Sequence, residues 1–199
     1  MTSIIPTPRV GPFWCATLLT CLAVAACEPR KEEPPADPAA AAPAAEAREA
    51  PPLTDAEIAH IAVTANAIDS AMGELAKTRA RSSAVKGFAQ TMVTDHGAVN
   101  RQAVQLAQRL KVTPQENDVS RQLQQGADEA RATLESKSGA EFDRGYMQRE
   151  VEYHQAVLDA LDQTLIPNTQ NAELKALLEG VRPAFVAHLD RAKQIQGSL

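Results

Sequence analysis

The sequence predicts an all-α fold: a four-helix bundle in which one long crossover, carrying a short extra helix, joins two helical hairpins. Three observations carry this reading. Beyond Leu53, apolar residues recur at steps of three and four, which turns one face of each helix into a core. Segments rich in Val, Ile and Thr at period two, the mark of strands, are absent. The connections are also uneven. Two are tight turns, whereas the one from about Lys111 to Ser138 is long enough to run the length of a bundle, the pattern of a single-crossover topology.

Each element has its own signals. Thr54 followed by Glu57 is a capping box, in which hydroxyl and carboxylate satisfy orphan amides at a helix start. The first helix carries Ile58, Ile61, Ala65, Ile68, Met72 and Leu75 and runs to about Arg79. Ser82 and Ser83 are placed to cap a second helix with the stripe Val85, Phe88, Met92, His96, Val99, Ala103, Leu106, Leu110. Val112 to Asp118, with Pro114, reads as a loop, and the polar stretch Val119 to Ser136 as a short surface helix. Gly139 marks a break before a third long helix bearing Phe142, Met147, Val151, His154, Leu158, Leu161 and Leu165. Pro167 and Asn168 predict a turn. The last helix carries Leu174, Leu177, Val181, Phe185, His188, Ala192 and Ile195, and Pro183 inside it is expected to bend it by removing a backbone hydrogen bond.

The N-terminal quarter reads differently. Residues 1–26 hold a single charge, Arg9, and an interrupted apolar run from Val10 to Ala26, too short for a spanning helix and suited to a signal peptide. The run ends in Leu22, Ala23, Val24, Ala25, Ala26, Cys27, which resembles the bacterial lipobox; the resemblance implies cleavage before Cys27 and acylation of its thiol. Residues 27–52 are then a lipidated cysteine and a tether. Seven of the 25 residues from Glu28 to Pro52 are proline, and little there can bury apolar surface. The bundle domain spans residues 53–199. It contains no cysteine, since Cys15, Cys21 and Cys27 all precede it, so disulfides and thiol nucleophiles are excluded from it. Loss of Arg9 takes the formal net charge from −5 to −6, a poor match to nucleic acid, which is held by cationic side chains. The membrane is the expected partner, through acyl chains on Cys27, with more than one chain needed for stable anchoring. Glu28, where an aspartate would favour inner-membrane retention, points to the outer membrane of a bacterial envelope, with the bundle facing the periplasm.

Two groups of residues resemble a known family. Phe88, Ala89, Met92, Val93, Asp95 and His96 in one helix, with Phe142, Asp143, Tyr146, Val151 and His154 in another, are similar to domain-of-unknown-function family 4142. That family is often labelled a putative outer membrane protein and regarded as ferritin-like. The resemblance covers most of residues 53–196 and implies a ferritin-like helical bundle in the bacterial envelope. It brings no established activity.

Four histidines remain. His60 adjoins the core position Ile61 and is expected to face solvent. His96, His154 and His188 occupy core-face positions on three different helices, and a rise of 1.5 Å per residue places them within about two turns of one another. Asp69 borders the first helix's stripe at a similar level. Asp69, His96, His154 and His188 are therefore the candidate metal ligands, with copper or zinc as the ion; Met72, Met92 and Met147 are thioethers in the same helices. Hydrogen-bonded core histidines are the competing reading, with Tyr146, Tyr153, Asp95 and Glu150 as partners. Di-iron carboxylate sites of this fold place Glu three residues before His, but Val93, Val151 and Phe185 stand there, which argues against that chemistry. No phosphate loop or nucleophile elbow is present. Two functions follow: a non-enzymatic envelope lipoprotein needing no cofactor, which ranks first, and a metal-binding or metal-sequestering bundle.

Overall fold

A computed structural model describes residues 52–199. The expected signal segment, the lipidation site Cys27 and all but the last residue of the tether lie outside the described residues. The described residues form an all-α bundle. Its long helices are α1 (Asp55–Arg79), α2 (Ser83–Leu110), α3 (Asp118–Glu135), α4 (Gly139–Ala160) and, after a single turn α5 (Ile166–Asn168), α6 (Ala172–Gln196). None of them is long and apolar enough to cross a membrane.

Helices α1 and α2 form one antiparallel hairpin, and α4 and α6 the other. The crossover between them is tied to α1 at both ends. At its start Gln115 N–H donates to Ala56 O and Asn117 Nδ2 to Glu57 O. At its finish Arg79 donates to the carbonyls of Glu135 and Lys137, each at 2.9 Å. The chain thus leaves α2 beside the first turn of α1 and starts α4 beside its last turn. This is the single-crossover topology that the long polar connection implied. The surface helix begins on a capping box of Asn117 and Ser120 and buries only Ser120 and Leu134.

The capping box at Thr54 and Glu57 is formed. The second helix start departs from expectation. Ser82 is the N-cap residue but its hydroxyl caps nothing. Instead Asp143, from α4, accepts from the amides of Arg81 and Ser82 at 2.9 and 2.8 Å. At the opposite end Asp55, from α1, accepts from the amides of Gln170 and Asn171 ahead of α6. Each hairpin's first helix therefore anchors the start of the other hairpin's second helix. A carboxylate serves better than a serine hydroxyl because its charge adds to the bond and complements the helix dipole.

Pro167 does not end α4 as expected. The helix widens over Leu161–Leu165, with Ile166 N–H donating to Leu161 O, and continues to Asn168. Pro167 has no N–H to give, and the widened turn before it accommodates the missing bond while Leu161 and Leu165 stay buried. Pro183 sits exposed on α6, which runs through it without interruption. In the same helix Leu178 takes a core position alongside half-buried Leu177.

Gly73 of α1 lies directly against α2. A Cβ there would lie 2.9 Å from Ala89 O and 3.0 Å from Val93 Cγ2. A backbone carbonyl cannot rotate aside, so the helices would have to separate. Gly73→Ala is expected to cost about 1–3 kcal/mol, outweighing alanine's better helix propensity. A denaturant midpoint equal to or above wild type would show that the two helices separate freely.

Candidate metal centre

The core is not continuous. One apolar cluster gathers Met72, Val85, Phe88, Met92, Phe142, Met147 and Ile195 at one end; another gathers Ile58, Ile61, Leu158, Leu161, Leu174 and Leu178 at the other. Between them lies a polar layer. Helix α1 supplies Asn66 and Asp69, three residues apart on one face. Helix α2 supplies His96, α4 supplies Arg149, Glu150 and His154, and α6 supplies His188. Asp69 and Glu150 are 0 % exposed, His154 1 %, His96 3 % and His188 6 %, so these side chains are shielded from bulk water.

The three imidazoles form a near-equilateral triangle, with ring centroids 5.6 Å (His96–His154), 5.3 Å (His96–His188) and 5.4 Å (His154–His188) apart. One nitrogen of each ring is held from outside. His96 Nδ1 donates to Asn66 Oδ1 at 2.8 Å, and that amide's orientation is fixed because its Nδ2 donates to Ala62 O. His154 Nδ1 donates to Glu150 O at 2.9 Å, and His188 Nε2 to Asp95 Oδ2 at 3.0 Å. The opposite nitrogens, His96 Nε2, His154 Nε2 and His188 Nδ1, are buried and unpartnered, as are Asp69 Oδ2, Glu150 Oε2 and Tyr146 Oη. His96 Nε2 lies 2.8 Å from Asp69 Oδ2, but off the line an N–H···O bond needs, and His154 Nε2 lies 3.5 Å from the same oxygen.

The electrostatics are those of a dry, charged layer. Burial alone would raise the Asp69 carboxyl, but His96, Arg149 and His154 outweigh it and hold it far below the usual carboxylate range. Glu150 goes the other way: burial and the Asp69 charge push it well above its ordinary value, against the pull of Arg149. Burial lowers His154 to about 4 and also lowers His188, so both rings are neutral at pH 7. Burial, then the Glu150 charge, keeps the Tyr146 hydroxyl protonated. Arg149 donates to Asp69 Oδ1 and Glu150 Oε1 and stays charged, with its guanidinium 4.2 Å above the Tyr153 ring.

The layer meets the surface at His188. Asp95 is 45 % exposed at its side chain, and the two residues lie in a groove of about 580 Å³ between α2 and α6, lined by Ser83, Gly87, Thr91 and Ala184 among others.

The structure brings His96, His154 and His188 together and sets Asp69 against His96 and His154. Ligand atoms of the three histidines lie within 4.8 Å of one another, and so do those of Asp69, Glu150 and His154. His60 lies outside both groups and is half-buried rather than solvent-facing, 3.4 Å from Thr64 Oγ1. Met72, Met92 and Met147 pack in the apolar cluster. Sequence reasoning missed Arg149 and Asn66, and took Glu150 only as a hydrogen-bond partner. Glu150 had a signal, being one turn before His154 on the same face.

The sequence model of the family described as Domain of unknown function (DUF4142) matches residues 38–195. The chain belongs to this family. The DUF4142 match takes in every residue of the polar layer, and it starts at residue 38, within the stretch expected to be a tether. Comparison with curated proteins and with solved structures gives no match. Within this DUF4142 domain the inward set of three imidazoles and a carboxylate has the donor chemistry of a zinc or copper(II) site, in which each histidine's second nitrogen is oriented by an outer acceptor.

Proposed function

We propose that the domain is a metal-binding bundle that holds one zinc or copper(II) ion on His96, His154, His188 and Asp69, carried in the bacterial envelope by a lipid anchor at Cys27. One observation carries this reading. All three histidines bind an acceptor with their outer nitrogen and leave the other nitrogen buried and unpartnered, and for His96 and His154 that nitrogen faces Asp69 Oδ2 at 2.8 and 3.5 Å. For His96 the bond to Asn66 assigns the proton to Nδ1, so the 2.8 Å approach of Nε2 to Asp69 Oδ2 sets lone pair against lone pair unless a proton or a cation sits on that side. Buried polar atoms without partners cost about 1–3 kcal/mol each, and one ion with bonds of about 2.0–2.2 Å would satisfy four of them. The groove at His188 and Asp95 gives the ion a route in. The residues supply binding and no recognisable reaction, which suits sequestration or delivery of the ion rather than catalysis.

The test is thermal unfolding of the purified protein in zinc and in copper(II). A ligand that binds only the folded state raises Tm, by about 2.7 kcal/mol of stability at a hundredfold excess over Kd. Wild type and His60→Ala are expected to show the shift; His96→Ala and His154→Ala are expected to lose it. Metal affinity should fall as the pH drops, since the ligands must give up protons to bind. No shift in the wild type well above micromolar metal leaves the histidines as core residues.

A further inference from the structure

The second group, Asp69, Glu150 and His154, has the composition of another cation site, with its ligand atoms within 4.8 Å of one another. A cation already serves it. Arg149 Nη1 lies 2.8 Å from Asp69 Oδ1 and 2.6 Å from Glu150 Oε1, so a single nitrogen bridges one oxygen of each carboxylate, as a shared metal ion would. The guanidinium is locked in place. Its side chain is 12 % exposed, it stacks on Tyr153, and the Tyr153 hydroxyl is pinned to Ala65 O at 2.9 Å. With Asp69 Oδ2 and His154 Nε2 given to the first ion, a second would be left Asp69 Oδ1 and Glu150 Oε1, which Arg149 now holds, and Glu150 Oε2, which is buried without a partner.

We propose that Arg149 is a built-in counter-cation occupying the electrostatic place of a second metal ion, and that it fixes the stoichiometry at one ion per chain. The inference rests on the histidine triad being an ion site. With Arg149 present, the two carboxylates carry at most two negative charges against the guanidinium and one divalent ion. A second divalent ion would meet a fixed positive charge within a few ångströms, in surroundings that screen poorly. Arg149 also separates the layer from a groove of about 450 Å³ between α3 and α4, lined by Leu123, Ala127, Glu152 and Tyr153. Loss of the guanidinium opens the second group to that groove and leaves both carboxylates without a cation.

The test is zinc stoichiometry of the purified protein by equilibrium dialysis and metal analysis. Wild type is expected to bind one zinc per chain and Arg149→Met two. The double variant Arg149→Met with Glu150→Gln is expected to return to one, because it lacks the second site's carboxylate. If Arg149→Met does not fold, Arg149→Gln, whose amide can still bond Asp69, carries the same expectation of two. One zinc in these single variants, or two in the wild type, overturns the role given to Arg149. No zinc in the wild type overturns the underlying reading of the histidines instead.

Discussion

Asp69→Asn is expected to abolish metal-dependent stabilisation and to lower the Tm of the metal-free protein by on the order of 10 °C. Asp69 is wholly buried and is approached by cationic or potentially cationic groups from two helices: His96 from α2, and Arg149 and His154 from α4. Removing its charge leaves Arg149 buried with Glu150 as its remaining carboxylate contact. Breaking a buried pair by deleting one partner costs about 3–5 kcal/mol, and in a domain of this size each kcal/mol moves Tm by about 2–4 °C. Glu150 can ionise and take over part of the pairing, which places the cost at the lower end. A calorimetric Tm within 2 °C of wild type would show that the Asp69–Arg149 pair contributes nothing.

The second large effect has the opposite sign. Glu150→Gln is expected to stabilise the metal-free protein at pH 7 by more than the ±0.5 kcal/mol of an ordinary surface substitution. Glu150 has a raised pKa in the folded state, so its contribution is fully present below its unfolded value and is lost as the pH rises towards the folded one. At neutral pH it penalises the fold, whereas glutamine keeps the oxygen that Arg149 bonds and has no proton to lose. The gain should vanish near pH 4. His154 runs the other way: with its pKa lowered to about 4, its contribution is present above the unfolded value of about 6.5 and is lost as the pH falls through that window. That amounts to on the order of 3 kcal/mol. Glu150 and His154 face Asp69 from α1, His96 from α2 and His188 from α6, with Arg149 and Tyr146 on their own helix. In wild type the Glu150 slope opposes those of His154 and His188 between pH 4 and 6.5; in Glu150→Gln the opposing slope is gone. Chemical denaturation across pH 4–8 measures both, and superimposable curves would rule out a raised Glu150 pKa in the folded protein.

These expectations depend on residues of unequal legibility. His96, His154 and His188 were readable because a helical face is a matter of spacing, and each sits three or four residues from a core apolar side chain. Asp69 was readable for the same reason, at the border of a stripe. Arg149 was not. An arginine beside a glutamate on a polar-looking turn is indistinguishable from a solvated pair until the opposing helix places Asp69 against it. Asn66 displaced the expected emphasis on Ala65 because its value lies in a bond to α2, thirty residues away. The helix starts show the same division. Thr54 and Glu57 cap locally and are legible, whereas the amides of Arg81 and Ser82 are capped by Asp143, a partner 62 and 61 residues distant that outcompetes the nearby hydroxyl. The widened turn at Leu161–Leu165 left no trace beyond Pro167.

The reciprocal anchoring by Asp55 and Asp143 has a consequence for the middle of the molecule. Two helical hairpins packed on apolar faces can in principle slide past each other by one turn, 5.4 Å, and exchange one set of ridges and grooves for the next. Here such a slip would pull both carboxylates off their paired amides together, at opposite ends of the bundle, breaking four charge-assisted bonds in one step. The hairpins are indexed against each other like two scales of a vernier pinned at both ends. The imidazoles of α2, α4 and α6, halfway between the pins, cannot drift out of level, and their triangle keeps its height without help from whatever it holds.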